Sequence, residues 1–303
     1  KLASRFTLDL ARVDFIKGPV GKGSNLIERS LFLRNYDTLF YLTDWSIFYP
    51  TAKKNILHIQ FPLPGQSAKS LWGRFKLRGW DLIIYNSRFT KEHAQANWPI
   101  KSRIIYPPVD TDQIKPLNKK QYILSVGRFF GYLKDKKHNI LIKTFRKLYE
   151  RGKINGWSLH LVGSASEGDQ PYLEDLRKLA KGLPVFFYPN IERNLLVKLY
   201  GESAIYWHAS GFGEDNPVKM EHFGISTVEG MSAGCVPIVI SRGGQTEIVQ
   251  SNNGFLWNSL IDLMKYTVLL IKDQTLMNKL SKNSQIASQR FSKAKFEKEI
   301  IKL

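Results

Sequence analysis

The sequence predicts an α/β protein in which parallel sheets carry helices on their faces, arranged as two domains of which the second is doubly wound. Two observations carry this. From residue 122 to residue 257, short apolar strands alternate with helix-length segments, the pattern of a doubly wound sheet. A proline-bracketed extended stretch, 107–120, divides this regular half from an earlier, looser one, and 303 residues suffice for two domains.

The elements follow in order. A first domain over 1–115 opens on weakly patterned sequence. It holds a glycine-bearing loop, GPVGKGSN (18–25), without P-loop spacing, and then a helix over 26–35. Strands are expected over 38–44, 55–61, 81–87 and 102–108, with helices over 67–80 and 90–98. The 67–80 segment combines Leu71, Trp72, Phe75 and Leu77 with Lys69, Arg74, Lys76 and Arg78. It reads either as a basic amphipathic helix on an anionic membrane or as a helix packed on its own sheet, and Gly73 and Gly79 weaken it. In the connection, Asp110 and Asp112 have a spacing that could hold a metal between phosphates, but no third ligand flanks them and a solvated turn is expected.

The second domain, 116–285, has strands over 122–126, 158–163, 185–189, 204–209, 235–240 and 254–257. Helices over 137–151, 171–181, 192–201, 226–233 and 245–250 separate them. Helices over 259–272, 274–290 and 292–302 close the chain, and the terminal stretch 286–303 is expected to pack back on the first domain.

Composition narrows the function. The 45 Lys+Arg against 26 Asp+Glu give a net charge of +19, which favours an anionic partner: nucleic acid, an acidic membrane surface or a phosphorylated ligand. There is no zinc-ligand spacing, helix-turn-helix punctuation or RNA-binding aromatic motif. The single cysteine, Cys235, excludes an intrachain disulfide, fits a reducing compartment and reads as a buried small residue. No run of about 18 apolar residues suggests a membrane span.

In open parallel sheets, ligands bind outside the carboxyl ends of the strands. Arg128 follows one strand and Lys136 precedes the next helix, so the two could hold a diphosphate. Gly224, Ile225 and Ser226 open a helix whose free amides favour a phosphate or a partly negative oxygen. Glu229, three residues after Ser226, either closes a capping box or accepts from a ribose diol. Glu221 lies before the turn in a polar stretch. Gly243-Gly244 allows close backbone approach, and Asn190 with Ile191 offers a place for a flat base.

These residues resemble the signature of glycosyltransferase family 4, the large retaining group with the GT-B fold. The matching parts are the Glu221/Glu229 pair around HFGISTVEGMSAGCVPIV, then GGQTEIV, Gly254-Phe255, LSVGRF with Lys136, NSRFT (86–90) and YPPVDTDQIKP (106–116). The resemblance covers about residues 38 to 290. It implies two Rossmann-like domains facing across a cleft, and a nucleotide-diphosphate sugar donor bound by the second without a required metal or other cofactor. Arg128 and Lys136 would stabilise the leaving diphosphate, where charge develops. Glu221 would hold the sugar hydroxyls, Gly224 and Ile225 would lie near sugar and phosphate with Ser226, Glu229 would hold the ribose, and the Ile191 backbone beside Asn190 would meet the base. A glycan or lipid-linked acceptor is implied, and cytoplasmic placement is expected, with peripheral contact to an anionic membrane.

The chain departs from the pattern in three places. In ILHIQFP, Gln60 takes the register of the family's usual histidine and His58 sits two residues earlier; His58 is either a strand histidine or an acceptor-side group. The stretch between Ser210 and Glu221 is longer than usual. The opening strand and glycine-rich donor loop are not recognisable, so the first domain is expected to be incomplete. Two other functions remain open, a sugar-nucleotide epimerase on the same fold and a basic nucleic-acid-binding protein.

Overall fold

The computed structural model describes residues 9–20, 23–43, 46–62, 70–94, 98, 100–133 and 135–303. The strands form two sheets, one of four strands in the order β1-β2-β3-β4 and one of six in the order β10-β9-β8-β5-β6-β7. By compactness the described residues fall into two units. One is drawn from Lys1–His58, Gln66–Ile83 and Trp98–Lys101, the other from Ile59–Gly65, Ile84–Asn97 and Ser102–Leu303.

In the smaller unit, helix α1 (Leu26–Leu33) starts at Asn25, whose side chain accepts from the amides of Ile27 and Glu28. Strand β1 (Thr38–Leu42) runs parallel to β2 (Lys54–Ile59), with Thr38 opposite Lys54 and Leu42 opposite His58. Helix α2 (Leu71–Arg78) is capped by Ser70, which accepts from Gly73 N. It is shorter than the expected 67–80: Gly79 ends it, and 67–69 lie outside the described residues. The described face of α2 buries only Leu77.

Strand β3 (Leu82–Tyr85) and β4 (Ser102–Ile104) are also shorter than expected. After β3, Ser87 turns the chain into α3 (Arg88–His93) by accepting from Thr90 N, so this helix begins two residues before the predicted 90. Beyond β4, Pro107 and Pro108 have no N–H to donate to a ladder.

The larger unit holds β5 (Lys120–Val126), α4 (His138–Glu150), β6 (Ser158–Gly163), α5 (Gln170–Leu179), β7 (Val185–Pro189), α6 (Arg193–Glu202), β8 (Ser203–His208), α7 (Ile225–Ser232), β9 (Val236–Ile240), α8 (Gln245–Ile248), β10 (Phe255–Trp257), α9 (Leu260–Lys272), α10 (Gln274–Ser288) and α11 (Lys293–Ile300). Each ladder in its sheet is parallel. Counted from β5, the strand order is 3-2-1-4-5-6, the doubly wound arrangement expected. Every residue of β8 and β9 is buried, because helices cover both faces. On one face Leu141, Phe145, Leu173 and Leu263 pack against Ile123, Leu161, Trp207 and Trp257. On the other, Leu199, Tyr200, Val228 and Met231 meet Leu124, Val162, Tyr206 and Val239. Cys235 is fully buried, its thiol directed at the carbonyls of Tyr200 and Ser203, and burial pushes its pKa up.

The 107–120 connection is anchored at several points, while Asp112 and residues 115–120 stay exposed as a solvated turn would. Asp110 pairs with Lys293 at 2.7 Å, Val109 N donates to Phe291 O, and the Ser232 hydroxyl lies 3.0 and 2.9 Å from the carbonyls of Thr111 and Ile114. The Lys119 side chain folds back so that its ammonium donates to the carbonyls of Ser203 and Ala233. Helix α11 packs against this stretch, with Arg103 2.9 Å from Glu299.

One carboxylate knits three distant parts of this unit. Glu247 on α8 accepts from the amides of Arg88 (2.8 Å) and Phe89 (2.8 Å) and from the Tyr106 hydroxyl (2.9 Å). Burial first, and the Glu247 charge second, push the Tyr106 pKa up to about 12, so the phenol remains a donor at any physiological pH. Glu247→Ala leaves these three donors unpaired. It is expected to lower stability by about 2–3 kcal/mol, read as a shifted urea midpoint at unchanged slope.

Candidate functional site

The strand order reverses between β5 and β8, which are hydrogen-bonded neighbours. Loops leaving their carboxyl ends run to opposite faces and open a crevice there. Arg128 stands two residues beyond β5 and is exposed. Its guanidinium lies over Phe130, 5.6 Å from the ring centroid, and makes no ion pair among the described residues. Lys136 stands two residues before α4 and reaches back to the crevice.

There its ammonium meets Glu221, Nζ to Oε2, at 2.7 Å. His208, the last residue of β8, places Nε2 3.1 Å from the same oxygen. Burial alone would raise the Glu221 pKa, but Lys136 and then His208 outweigh it and hold the carboxyl well below its usual range. The same pair keeps Lys136 protonated, its pKa raised despite burial. Burial lowers the His208 pKa, so its ring is neutral. About a fifth of the Glu221 side chain stays accessible (21%), so the cluster is open to a ligand. The Glu221 backbone is fixed from behind: Gly244 N donates to its carbonyl at 2.8 Å. Gly243 has φ +62°, and a Cβ there would overlap that carbonyl oxygen, so only glycine fits.

Gly224, at φ +124°, turns the chain into α7 and is its N-cap. The cap has no side-chain hydrogen bond. The amides of Thr227 and Val228 turn back to Gly224 O, whereas those of Ile225 and Ser226 have no acceptor among the described residues. This is an anion-ready helix start. Ser226 Oγ accepts from the buried Tyr206 hydroxyl at 2.8 Å.

The capping-box reading of Ser226 and Glu229 is overturned. The helix begins two residues earlier than that box requires, with Gly224 as its N-cap, and Ser226 and Glu229 exchange no capping bonds. Such a box does form at Ser259 and Asp262. Glu229 instead accepts from Tyr200 OH at 2.9 Å and pairs with Arg193 at 2.7 Å. A carboxylate has further lone pairs beyond these two partners.

Asn190, in the left-handed region at φ 55°, exchanges two hydrogen bonds with the backbone of Ala165 through its amide, and Ile191 beside it is half-buried. Asn190 is thus a brace that shapes the turn after β7. In the long stretch after Ser210, Glu214 pairs with Lys137 at 2.6 Å, and Arg242 donates to the Glu214 carbonyl and lies 3.7 Å from Asp215. The basic loop around Lys136 is therefore partly neutralised; Lys134 lies outside the described residues.

His58 and Gln60 do not share a strand face as expected, because β2 ends at Ile59. In the smaller unit His58 is buried against Phe40, with Nδ1 unpartnered, and burial lowers its pKa to about 4. In the larger unit the Gln60 side chain is exposed and its carbonyl accepts from Asn86. Among the described residues no group of three His, Cys, Asp or Glu is placed to hold a metal.

Sequence reasoning missed His208, Tyr200, Arg193 and Tyr206. For His208 a signal existed: it is a histidine one residue from the end of the otherwise largely apolar strand AIYWHA.

The fold and this crevice define a Rossmann-type domain that gathers a lysine–carboxylate–histidine cluster and the uncapped start of a helix at its switch point. Residues 109–286 match the family described as "Glycosyl transferases group 1", and the chain belongs to that family. It is 30% identical over 239 residues to the GDP-Man:Man(3)GlcNAc(2)-PP-Dol alpha-1,2-mannosyltransferase of Xenopus tropicalis, a match covering 72% of this chain and 46% of that protein. The Mus musculus enzyme of the same name is 30% identical over 242 residues, with the same coverages of 72% and 46%. The chain thus spans less than half the length of these relatives. Among solved structures, a glycosyltransferase from Rickettsia africae superposes with a TM-score of 0.73 at 18% identity, covering 97% of this chain and 85% of that one. Anabaena HepE in complex with UDP-glucose gives 0.67 at 20% identity, covering 90% and 79%. These likenesses establish the GT-B fold.

The Glu221 pair gives a pH signature. A carboxyl whose pKa is depressed by folding contributes stability in full above its unfolded value of about 4.3 and loses it as pH falls through the lower folded value. Glu221→Gln is expected to cost about 2 kcal/mol at pH 7, because the Lys136 charge loses its partner. That cost should shrink steadily below about pH 4.3, measured as paired urea titrations of wild type and variant.

Proposed function

We propose that the chain carries the donor-binding half of a retaining glycosyltransferase that takes mannose from GDP-mannose and delivers it to a hydroxyl of a lipid-linked glycan. The observation carrying this reading is the Lys136–Glu221 pair together with the amides of Ile225 and Ser226 and with Arg128 just beyond β5, none of the last three having a hydrogen-bond or ion-pair partner among the described residues. The GDP-linked donor and the lipid-linked acceptor are suggested by the printed name of the relatives at 30% identity.

In this reading the diphosphate lies over the start of α7, where amides and helix dipole oppose its charge. Arg128 and the spare protons of Lys136 take up the charge that grows as the bond from the anomeric carbon to the diphosphate oxygen breaks. Glu221 accepts from sugar hydroxyls, and Glu229 from the ribose diol beside Arg193. The guanine meets the backbone at Ile191, on the turn that Asn190 braces. The acceptor hydroxyl attacks the anomeric carbon from the face the diphosphate leaves, and its proton passes to the departing phosphate oxygen. Configuration is thereby retained with no protein nucleophile and no metal. His58 and Gln60 are the acceptor-side candidates, and His58 at a pKa of about 4 enters as a neutral imidazole.

Calorimetric titration with GDP-mannose, UDP-glucose and GDP, with and without chelator, tests the reading. GDP-mannose is expected to bind with or without chelator, and Glu221→Ala to weaken it at least tenfold. Binding of none of them, or loss on chelation, would refute it.

A peripheral membrane contact belongs to the same reading. On α2, Leu71 and Trp72 are 85% and 55% exposed, Trp72 stacks on Phe75, and Phe75 stacks on Tyr49. Lys76 lies over Trp72, and Arg78 ends the same helix. An apolar ladder among cations suits the boundary of an anionic bilayer. No helix among the described residues is long and apolar enough to cross a membrane. Sedimentation with anionic vesicles should be salt-sensitive and fall about tenfold in Trp72→Ala; equal binding to neutral vesicles would count against it.

A further inference from the structure

Two donors from different parts of the chain converge on a single oxygen of Glu221. Lys136 Nζ comes from the loop before α4 and His208 Nε2 from the end of β8, at 2.7 and 3.1 Å from Oε2. The other oxygen, Oε1, has no hydrogen-bond partner among the described residues. We propose that His208 is a positioning residue for Glu221: with Lys136 it pins one carboxylate oxygen and so presents the other, already oriented, to a hydroxyl of the transferred sugar. This inference rests on the donor reading above and adds a residue to it.

The local chemistry explains why a histidine suits the place. A single ammonium partner leaves a carboxylate free to turn about its last torsion, which is broad. A second, rigid donor removes that freedom, and His208 is rigid because it is 3% exposed and its own carbonyl accepts from Trp257 Nε1 at 3.2 Å. Its Nδ1 is buried without a partner. The hydrogen-bond network therefore assigns the proton to Nε2, the nitrogen facing Glu221. The charged groups around the ring are Glu221, Lys136 and Asp135, the last 3.9 Å from Lys136. Burial keeps the ring neutral against the Glu221 charge. A neutral donor orients the carboxylate without cancelling the negative charge that the sugar hydroxyls need as acceptor. Because Glu221 reads the sugar and the amides of α7 read the diphosphate, His208 should affect recognition of the sugar and leave that of the nucleotide alone.

The test compares GDP with GDP-mannose by calorimetry on wild type, His208→Leu, His208→Asn and His208→Gln. Gln extends an amide N–H to about the position of Nε2, whereas Asn is too short to reach it. GDP affinity is expected to stay within about twofold in all four. GDP-mannose affinity should fall at least tenfold in His208→Leu and His208→Asn and return to within about threefold of wild type in His208→Gln. Nitrogen NMR of the wild-type ring should report the neutral Nε2–H tautomer at about pH 7.5. Equal loss of GDP and GDP-mannose would reduce His208 to a packing residue and overturn the inference, as would unchanged GDP-mannose binding in His208→Leu or an Nδ1–H tautomer. A wild type that binds GDP but gains nothing from the mannose, or that binds neither, overturns the donor reading and this inference with it. Should His208→Leu fail to fold, the contrast between Asn and Gln decides the question.

Discussion

The site depends on one topological constraint, the reversal of strand order between β5 and β8. Right-handed crossovers send the connection after β5 to one face of the sheet and the connection after β8 to the other. The gap they leave cannot be filled by either. Lys136 enters it from one connection, and His208 with Glu221 from the other, so residues far apart in sequence become partners at 2.7 and 3.1 Å. The pair is partly desolvated, which strengthens it, and partly open, which makes it usable.

The backbone around that gap is arranged to carry charge. Gly243 and Gly244 press against the Glu221 carbonyl, and Gly224 turns the chain so that helix α7 starts with unspent donors. A carboxylate next to a helix start would ordinarily cap it. Glu221 does not, because Lys136 and His208 claim it, and Glu229 does not, because Tyr200 and Arg193 claim it. The amides of Ile225 and Ser226 are left for an anion. The charge balance around the crevice is thus local and specific, and the overall +19 of the chain describes its surface rather than its site.

The sequence made the larger unit legible because buried parallel strands such as Cys235 to Ile240 are continuous apolar runs and their punctuation is glycine. Glu221, Lys136 and Arg128 could be picked out because charged residues at strand ends and helix starts have few structural duties there. What could not be read was pairing. That Glu229 faces Tyr200 rather than its own helix start depends on where α6 lies over α7. That the Lys119 ammonium is held by two carbonyls, in a stretch that reads as solvated linker, depends on where the ends of α6 and α7 lie. His208 stands out in its strand as a polar residue, but only the fold shows that it meets Glu221.

The Glu247 carboxylate has a consequence for how this unit can be assembled. Its partners at Arg88, Phe89 and Tyr106 precede it by some 140 to 160 residues, and the Ser87 hydroxyl likewise reaches the carbonyl of His222. During synthesis the segment from Ile84 onward therefore emerges long before the surface it belongs to exists. Closing so long a loop costs entropy that only the completed sheet can offset. The larger unit is not a contiguous piece of polypeptide that could be excised at the proline-bracketed connection. A cut there would separate one side of the contact from the other, and because Ile59–Gly65 belongs to the same unit, any division of this protein into independently expressed parts has to begin upstream of Ile59.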